Sequence, residues 1–507
     1  MKLKFIFVFL ASVLLVTDES KAQNRNSIWC FGDSAGIDFS NINNPVPYYS
    51  AMRGRGSCVN IANNFGGGAL FYANSYSLLF KTLVWGANND TMQNGDFLGD
   101  GLYNEQQIIP FPDGQNKYYL FYTGARGFVD GLYYAIVDMN LNGGFGEVTI
   151  TNQQINTNRI ADCMQAVKHG NGRDWWLITK TSNATLTSVN RFVIYLITPQ
   201  GISQPSYYDF GNAYDLDFQK LIFNNTYTKL MNVNIGGYMC EFDFDRCSGV
   251  ISNPHVIYPE ITTPPFNRYF WEGAYSPNDS VFYVSTIWVS VSQSDTSRLL
   301  QYNLADTNIA LTCDTLAWWR LPFQTGAIRL APDNKIYVTN AYATSNVNFP
   351  YPDSVYNYIN MNLSVINEPD NLGAACNFQP FSFYLGGKRT YLGLPNNPKY
   401  DLGALAGSVC DTLTNLTPDP SPLGEGSIKI TPNPAKENVR FEYSGLIEDN
   451  SWIDVYDNLG LKIKKVLLNK GSTGVTFSVS QLPPGVYLCR VFINNAYSQS
   501  NKLIIIR

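Results

Sequence analysis

The sequence predicts an all-β fold, with a β-propeller-like domain of six or seven four-stranded blades followed by an Ig-like β-sandwich. The composition, a repeated turn-and-strand unit and the pattern of residues 427–507 support this prediction. Charged residues make up only 15% of the 507 residues, against roughly 25% in typical soluble domains. The 33 Tyr and 40 Gly residues suit short, half-buried strands that are joined by tight turns.

A polar turn followed by a strand of aromatic and β-branched residues recurs through the middle of the chain. The clearest copies are FPDGQNKYYLFY, HGNGRDWWLITK, FNNTYTKLMNV, SPNDSVFYVST and APDNKIYVTN. The turn markers are spaced 47, 58, 53, 54 and 55 residues apart, at Gly67, Gly114, Gly172, Asn225, Asp279 and Asn334. A strand-rich period of about 50 residues indicates radially arranged blades. A large β-sandwich with coincidental turn spacing is the alternative.

Four segments are predicted: a signal peptide at 1–22, a propeller-like domain at 23–414, a linker at 415–426 and a C-terminal domain at 427–507. In the first, two lysines precede a 12-residue apolar core, and cleavage is expected between Ala22 and Gln23. This core is shorter than the ~20 residues that span a membrane, so it predicts export without a transmembrane span. The linker, NLTPDPSPLGEG, is rich in Pro and Gly.

Charge is unevenly distributed along the chain. The formal net charge is -5, yet residues 427–507 carry ten Lys and Arg against six Asp and Glu. The part between the signal peptide and residue 427 is therefore strongly acidic. Such a domain is a poor partner for nucleic acid or an anionic membrane, because both attract clustered Lys and Arg.

The nine cysteines are candidates for disulfides, because an exported chain folds in an oxidising compartment. Cys240 and Cys247 flank the segment CEFDFDRC, which is short enough to close locally, and form the candidate disulfide. The odd count leaves at least one cysteine unpaired, and spacing does not determine the other connections. Cys489 is expected to be a buried thiol. No CxxC pair indicates a zinc or redox site.

Only two histidines, His169 and His255, are present. Carboxylates are therefore the stronger candidates for catalytic residues. Glycoside hydrolysis uses two carboxylates about 5–10 Å apart, one of them with a raised pKa. The candidates are Asp130, Glu241, Asp243, Asp245 and Glu272. The segment EFDFDR would place three of them on one strand face, which indicates either a solvated surface or a structural Ca²⁺ site. No catalytic residue, cofactor or metal ligand is assigned.

The adjacent pairs Trp175–Trp176 and Trp318–Trp319 are the aromatic residues considered for ligand binding. Neighbouring side chains of a strand point to opposite faces, so one member of each pair is expected in the core. The outward member could stack on a sugar ring, whereas packing between sheets is the alternative.

Residues 427–507 resemble the type A sorting domain of the type IX secretion system of Bacteroidetes. The resemblance is carried by ITPNPAKENVRFEY, WIDVYDNLGLKIKKV, LPPGVYLCRVF and KLIIIR. It identifies a sorting motif formed by Pro432, Asn433, Pro434, Gly460, Pro484, Gly485, Tyr487 and Lys502. The resemblance implies recognition by the outer-membrane machinery of that system, followed by release or attachment at the outer cell surface. An ordinary Ig-like module is the alternative.

The region from Ile28 to about Asp411 resembles the propeller-like domains of Bacteroidetes surface proteins of the gliding-motility and PKD-repeat type. The matching segments include SIWCFGDSAGIDFS, GLYYAIVDMNLNGGFGEV, IRLAPDNKIYV and YLGLPNNPKYDLG. This resemblance implies an architecture but no particular activity.

Together, these features favour a secreted or surface-attached protein whose propeller-like domain binds a glycan or a protein without catalysis. A secreted polysaccharide hydrolase that uses carboxylates in the propeller funnel is the alternative. Adhesion during surface motility is a third hypothesis, suggested by the family resemblance. Two close, partly buried carboxylates in the funnel would favour hydrolysis, whereas an apolar or water-filled channel would favour binding.

Overall fold

The structure is a computed structural model, and it describes the residues 25–63, 67–76, 81–96, 98–99, 105–124, 130–182, 190–211, 218–259, 269–287, 296–320, 322–342, 355–411, 428–443, 451–456, 462–483, 485–493, 496–497 and 501–506. The chain separates into one compact unit from Gln23 to Asn415 and a second that contains Leu416–Arg507. The predicted signal peptide, its cleavage site at Ala22 and Gln23, and the predicted linker lie outside the described residues. Those domain limits stay predictions.

The first unit contains seven antiparallel sheets among its described residues, numbered here sheet 1 to sheet 7 in chain order. Sheet 1 contains β1 (Ile28–Phe31), β2 (Ala35–Asp38) and β3 (Val46–Pro47), and sheet 2 contains β4 (Cys58–Ala62), β5 (Ala69–Tyr76) and β6 (Lys81–Gly86). Sheet 3 contains β7 (Gln107–Pro110), β8 (Lys117–Gly124), β9 (Gly131–Asp138) and β10 (Glu147–Asn156). Sheet 4 contains β11 (Ile160–Lys168), β12 (Trp175–Thr181), β13 (Arg191–Thr198), β14 (Gly201–Ile202) and β15 (Ser206–Asp209).

The last three sheets of this unit have four strands each. Sheet 5 contains β16 (Gln219–Phe223), β17 (Lys229–Asn234), β18 (Met239–Phe244) and β19 (Ile251–Tyr258). Sheet 6 contains β20 (Phe270–Tyr275), β21 (Val281–Thr286), β22 (Thr296–Asn303) and β23 (Asp314–Arg320), and sheet 7 contains β24 (Phe323–Leu330), β25 (Ile336–Tyr342), β26 (Asn362–Ile366) and β27 (Phe378–Tyr384). Short 3-10 helices lie at Asn142–Gly144, Ile309–Thr312 and Gly373–Cys376.

The arrangement of the sheets is propeller-like. From sheet 2 to sheet 7, the first strand of each sheet contacts the first strand of the next. These strands are largely buried, and all five residues of β4 and all six of β20 are in the interior. The predicted all-β, propeller-like architecture is confirmed. The sheets hold three to five strands instead of a uniform four.

The recurring polar turns join the first and second strands of sheets 2 to 7. Five of the six markers have a positive φ: Gly67 (93°), Gly114 (73°), Gly172 (77°), Asp279 (62°) and Asn334 (61°). Gly, Asn and Asp tolerate this left-handed backbone best, which is why they recur there. In sheet 5 the left-handed residue is Tyr227, two positions after the marker Asn225.

Residues Arg389–Asn396, called here the closing segment, connect the last sheet to the earlier ones. The Arg389 carbonyl accepts the Asp33 amide of the β1–β2 turn at 2.9 Å. The Leu392 carbonyl accepts the Ala327 amide of β24 at 2.9 Å. Asn396 donates its backbone amide to the Cys58 carbonyl of β4 at 2.8 Å. The closing segment thus joins sheet 7 to sheets 1 and 2, where the two ends of the unit meet.

The disulfide of this unit differs from the predicted one. Cys247 is bonded to Cys410, with a Cα–Cα distance of 5.4 Å, so the candidate pair Cys240–Cys247 is wrong. Cys240 lies within β18, and its thiol is buried in the core between sheets 4 and 5, whereas Cys247 lies in the turn after that strand. Arg246, next to Cys247, donates to the Gly403 carbonyl at 2.8 Å. This hydrogen bond anchors the segment that leads to Cys410.

The second unit is a two-sheet β-sandwich, as predicted. One sheet contains β28 (Ile428–Thr431), β29 (Asn438–Tyr443) and β32 (Gly474–Ser478). The other contains β30 (Trp452–Tyr456), β31 (Lys462–Leu467), β33 (Gly485–Ile493), β34 (Ala496–Tyr497) and β35 (Asn501–Ile505). Its apolar core includes Val439, Phe441, Val455 and Cys489, the last of which was predicted as a buried thiol.

Replacing both disulfide cysteines, in the variant Cys247→Ser/Cys410→Ser, is expected to destabilise the first unit. The bond closes a loop across a sequence separation of 163, and native disulfides of this kind contribute about 2–5 kcal/mol to the free energy of unfolding. The measurement is urea unfolding of the oxidised full chain. Cys313→Ser is the matched control, because Cys313 is exposed and not disulfide-bonded. Equal stabilities of the double variant and the control would contradict the prediction.

Candidate functional site

Five ionisable side chains meet where the first strands of the sheets converge, and they are called here the central charge cluster. Glu105 precedes β7, Asp162 lies on β11, Lys220 on β16, Glu272 on β20 and Arg329 on β24. Each of sheets 3 to 7 therefore contributes one member. Sheet 2 contributes through Ser57, whose hydroxyl donates to Glu105 Oε2 at 2.9 Å.

The two cations of the cluster bridge its three carboxylates. Lys220 Nζ lies 2.5 Å from Glu105 Oε1 and 3.6 Å from Asp162 Oδ2. Arg329 Nε lies 2.8 Å from Glu272 Oε1, and its Nη2 lies 4.0 Å from Glu105 Oε2. Glu105 is therefore shared between both cations and connects the two halves of the cluster.

The cluster is deeply buried, which makes its protonation states unusual. Glu272 is 3% exposed, and burial raises its pKa from 4.5 to about 7, partly offset by Arg329. Burial also raises the pKa of Asp162, because Lys220 compensates only part of the lost hydration. For Lys220, burial alone lowers the pKa, but Asp162, Glu105 and Glu272 outweigh it and raise the pKa above its usual value.

The closing segment packs beside the first strands of sheets 3 and 4. Asn396 donates its side-chain amide to the Met164 carbonyl at 2.8 Å and accepts from Gln165 Nε2 at 2.7 Å. Gln107 Nε2 donates to the Asn396 carbonyl at 2.8 Å. Asn396 is fully buried, so the protein's own chain fills the space beside β7 and β11.

Hydrolysis of a glycoside would need two close carboxylates, one of them with a raised pKa, and the cluster meets this requirement only in part. Its carboxylates are close and buried, and Glu272 has the raised pKa of a general acid. However, each carboxylate is paired with a cation. A buried carboxylate that lies beside a cation in this way is typical of a structural ion network. Catalysis would also require a substrate to reach atoms that the described residues enclose.

The other predicted carboxylates lie away from the cluster. Asp130 is exposed in the turn before β9. Glu241 accepts the Tyr275 hydroxyl at 2.8 Å and faces Lys229, which binds Asp243 at 2.5 Å. Asp245 accepts the Cys247 amide in the turn beyond β18 at 2.8 Å. All of these acids except Asp130 therefore interact with other protein groups. No group of three or more metal-binding side chains is found in the described parts of the chain.

The histidines and tryptophans considered for a site hold structural positions, except the exposed His255 and Trp318. His169 Nε2 lies 2.8 Å from the Cys247 carbonyl, and His255 lies on the outermost strand of sheet 5. Trp175 and Trp176 are both buried, which contradicts the expected outward member of that pair. The indole of Trp176 is covered by the turn after β18, where it donates to the Arg246 carbonyl at 2.8 Å. Trp318 is 58% exposed, as the alternation of strand side chains predicts.

Four exposed tyrosines surround the junction of sheets 1 and 7, and they are called here the tyrosine platform. They are Tyr49, Tyr356, Tyr358 and Tyr384, with exposed fractions of 54%, 46%, 61% and 55%. Lys388 Nζ lies 4.8 Å from the ring centroid of Tyr49. A β-carbon added at Gly387 would lie 3.5 Å from the Tyr384 hydroxyl, so this ring flanks the same turn as Lys388.

In the second unit, the predicted sorting motif lies where the chain turns beside the last strand. Asn433 Oδ1 accepts the Ile504 amide of β35 at 2.8 Å. Pro432 and Pro434 are exposed on either side of it. Tyr487 is buried, and its hydroxyl donates to the Pro483 carbonyl at 2.7 Å.

Four members of the predicted motif remain, and three of them are described incompletely or not at all. Gly485 begins β33, and Lys502 lies on β35, although only the backbone of Lys502 is described. Gly460 and Pro484 lie outside the described residues. The roles of the individual motif residues in sorting stay predictions.

Residues 429–506 match the family model of the secretion system C-terminal sorting domain. The second unit is a sorting domain of the type IX secretion system. The protein is therefore secreted or attached to the outer cell surface, as the sequence predicts. Within the described residues, none of the helices has the length and hydrophobicity to cross a membrane.

No curated protein matches the sequence. Among solved structures, an auxiliary nutrient binding protein from Bacteroides thetaiotaomicron is similar, with 9% identity, a TM-score of 0.33, and coverage of 56% of this chain and 66% of the other. The β-propeller domain of Cps50 (Swd1) from Myceliophteria thermophila has 10% identity, a TM-score of 0.35, and coverage of 63% and 94%. The Dos1 propeller has 11% identity, a TM-score of 0.38, and coverage of 72% and 83%.

Of the cluster residues, only Glu272 was among the candidates predicted from the sequence. Glu105, Asp162, Lys220 and Arg329 were missed, although successive members are 57, 58, 52 and 57 residues apart. This spacing matches the period of the turn markers, so a charged residue in an otherwise apolar first strand was the available signal. The tyrosine platform had no comparable signal, because its members are brought together only where the chain closes.

The substitution Glu272→Gln is expected to reduce the pH dependence of stability. The folded-state pKa of Glu272, about 7, exceeds the ordinary 4.5, so the folded protein retains this proton longer than the unfolded chain. The associated stability is fully present below the ordinary pKa and is lost as the pH rises through 7. At about 1.4 kcal/mol per pKa unit, the variant's decline in stability between pH 5 and pH 8 should be smaller by about 1–3 kcal/mol.

The measurement is the free energy of urea unfolding of the full chain at both pH values. Asp130→Asn is the control, because it removes an exposed carboxylate outside the cluster and should leave the wild-type decline unchanged. An identical decline in wild type and Glu272→Gln would show that Glu272 does not keep a raised pKa in the folded protein.

Proposed function

We propose that this protein is a non-enzymatic recognition module of the outer cell surface, in which the propeller-like unit binds a surface ligand and the sorting domain directs export. The observation that carries the proposal is the burial of the three carboxylates of the central charge cluster and their pairing with two cations. Lys220 and Arg329 occupy the carboxylates that hydrolysis would need, so binding falls to the exposed surfaces. Propellers suit such a role, because their loops are displayed on a rigid framework.

One observation favours a second function, the hydrolysis of a polysaccharide. Glu272 combines a pKa of about 7 with the nearby carboxylate of Glu105, which shares Arg329 with it. An acid with a raised pKa beside a second carboxyl group is the combination that glycosidases use. The burial of both side chains and the two bridging cations count against this function.

The proposal predicts that the full chain releases no sugar ends from polysaccharides. Soluble starch, xylan, galactomannan and pectin are each incubated with the wild type and with Glu272→Gln, and new reducing ends are measured together with the products by mass spectrometry. We expect no release above the blank for either protein. Release by the wild type that Glu272→Gln abolishes would overturn the proposal and establish the hydrolase.

A further inference from the structure

We propose that the tyrosine platform is a polysaccharide-binding site, in which a pyranose ring stacks on Tyr356 and one of its hydroxyls donates to Asp33. This inference rests on the proposed function, because it assigns a ligand class and a location to the binding that the unit performs. It is carried by three features of the platform: a fixed exposed ring, an available carboxylate oxygen beside it and further tyrosines along the same turn.

The ring of Tyr356 is held from beneath. Its hydroxyl donates to Asp33 Oδ2 at 3.2 Å, and the Arg389 guanidinium carbon lies 4.3 Å from its centroid. Arg389 is itself buried, and it donates to Asp33 and to the Val355 carbonyl at 2.9 Å. The ring is nevertheless 46% exposed. Since little side-chain freedom remains to be lost, stacking a ligand on this ring costs little conformational entropy.

Asp33 provides a hydrogen-bond acceptor next to the ring. Its Oδ2 receives Arg389 Nε at 3.1 Å, Arg389 Nη2 at 2.8 Å and the Tyr356 hydroxyl. Its Oδ1 receives no hydrogen bond from the described residues, and the side chain is 22% exposed. A carboxylate oxygen accepts hydrogen bonds, so a group that binds at Oδ1 must donate one. Hydroxyls of a sugar are such donors.

Two of the remaining tyrosines lie beside the turn that precedes Arg389. Tyr49 is covered on one face by Lys388, and Tyr384 borders the turn that contains Lys388. Tyr358 packs edge-on against Phe381, with the ring centroids 5.6 Å apart. A pyranose presents a face of C–H groups and a rim of hydroxyls, which matches flat aromatic rings bordered by a carboxylate and an ammonium.

The test measures binding of the full chain to the same four soluble polysaccharides by affinity electrophoresis, with Tyr356→Ala as the central variant. Loss of the stacked ring is expected to weaken retention by about tenfold or more, equivalent to at least about 1.4 kcal/mol. Tyr356→Phe keeps the ring and should retain most of the binding. Tyr207→Ala is the matched control, because Tyr207 is 47% exposed and contacts a cation, Arg191, but lies in sheet 4. Thermal unfolding of each variant confirms that it is folded.

The outcomes separate this inference from the proposed function. Polysaccharide binding that survives in Tyr356→Ala would place the site elsewhere and leave the proposed function standing. Cleavage of a retained polysaccharide would overturn the proposed function. Failure of the wild type to bind any of the four polysaccharides, or a protein ligand whose binding Tyr356→Ala abolishes, would overturn the ligand class assigned here.

Discussion

The burial of four ionisable side chains beside the partly exposed Arg329, where the first strands of the sheets meet, is the interaction on which the first unit depends. A buried charge is tolerated only when a partner compensates its lost hydration. Glu105 supplies this compensation on both sides, because it binds Lys220 and borders Arg329. Each partner comes from a different sheet, so the cluster also constrains how the sheets are placed relative to each other. A shift of one first strand would leave a charge in the core without its partner.

The closing segment solves a second problem, which is how to join the first and last sheets. Its backbone forms hydrogen bonds with the β1–β2 turn, β4 and β24. Beyond it, the disulfide of Cys410 with Cys247 attaches the chain to the turn after β18 of sheet 5. The same junction positions Arg389 beneath Tyr356. The features that close the unit therefore also order the tyrosine platform. A rigid surface of this kind suits the recognition of a ligand, and the sorting domain accounts for its delivery to the outside of the cell.

The periodic elements of the fold could be predicted from the sequence, because they depend on local chemistry. Gly114 and Gly172 recur where the backbone must adopt a positive φ, and the apolar strands follow each turn. The disulfide could not be predicted, because Cys247 and Cys410 become neighbours only after the closing segment has crossed several sheets. Charge pairing across the centre and the grouping of the exposed tyrosines depend in the same way on contacts between distant parts of the chain.

The central claim is that the charge cluster is a coupled structural element, and a double-mutant cycle on Glu105 and Lys220 tests it most directly. The free energy of urea unfolding is measured for the wild type, Glu105→Gln, Lys220→Met and the double variant. Each single change should cost about 3–5 kcal/mol, because it removes the nearest opposite charge from a side chain that stays buried. The double variant should lose at least about 2 kcal/mol less than the sum of the single losses. Losses that add to within about 0.5 kcal/mol would contradict the account.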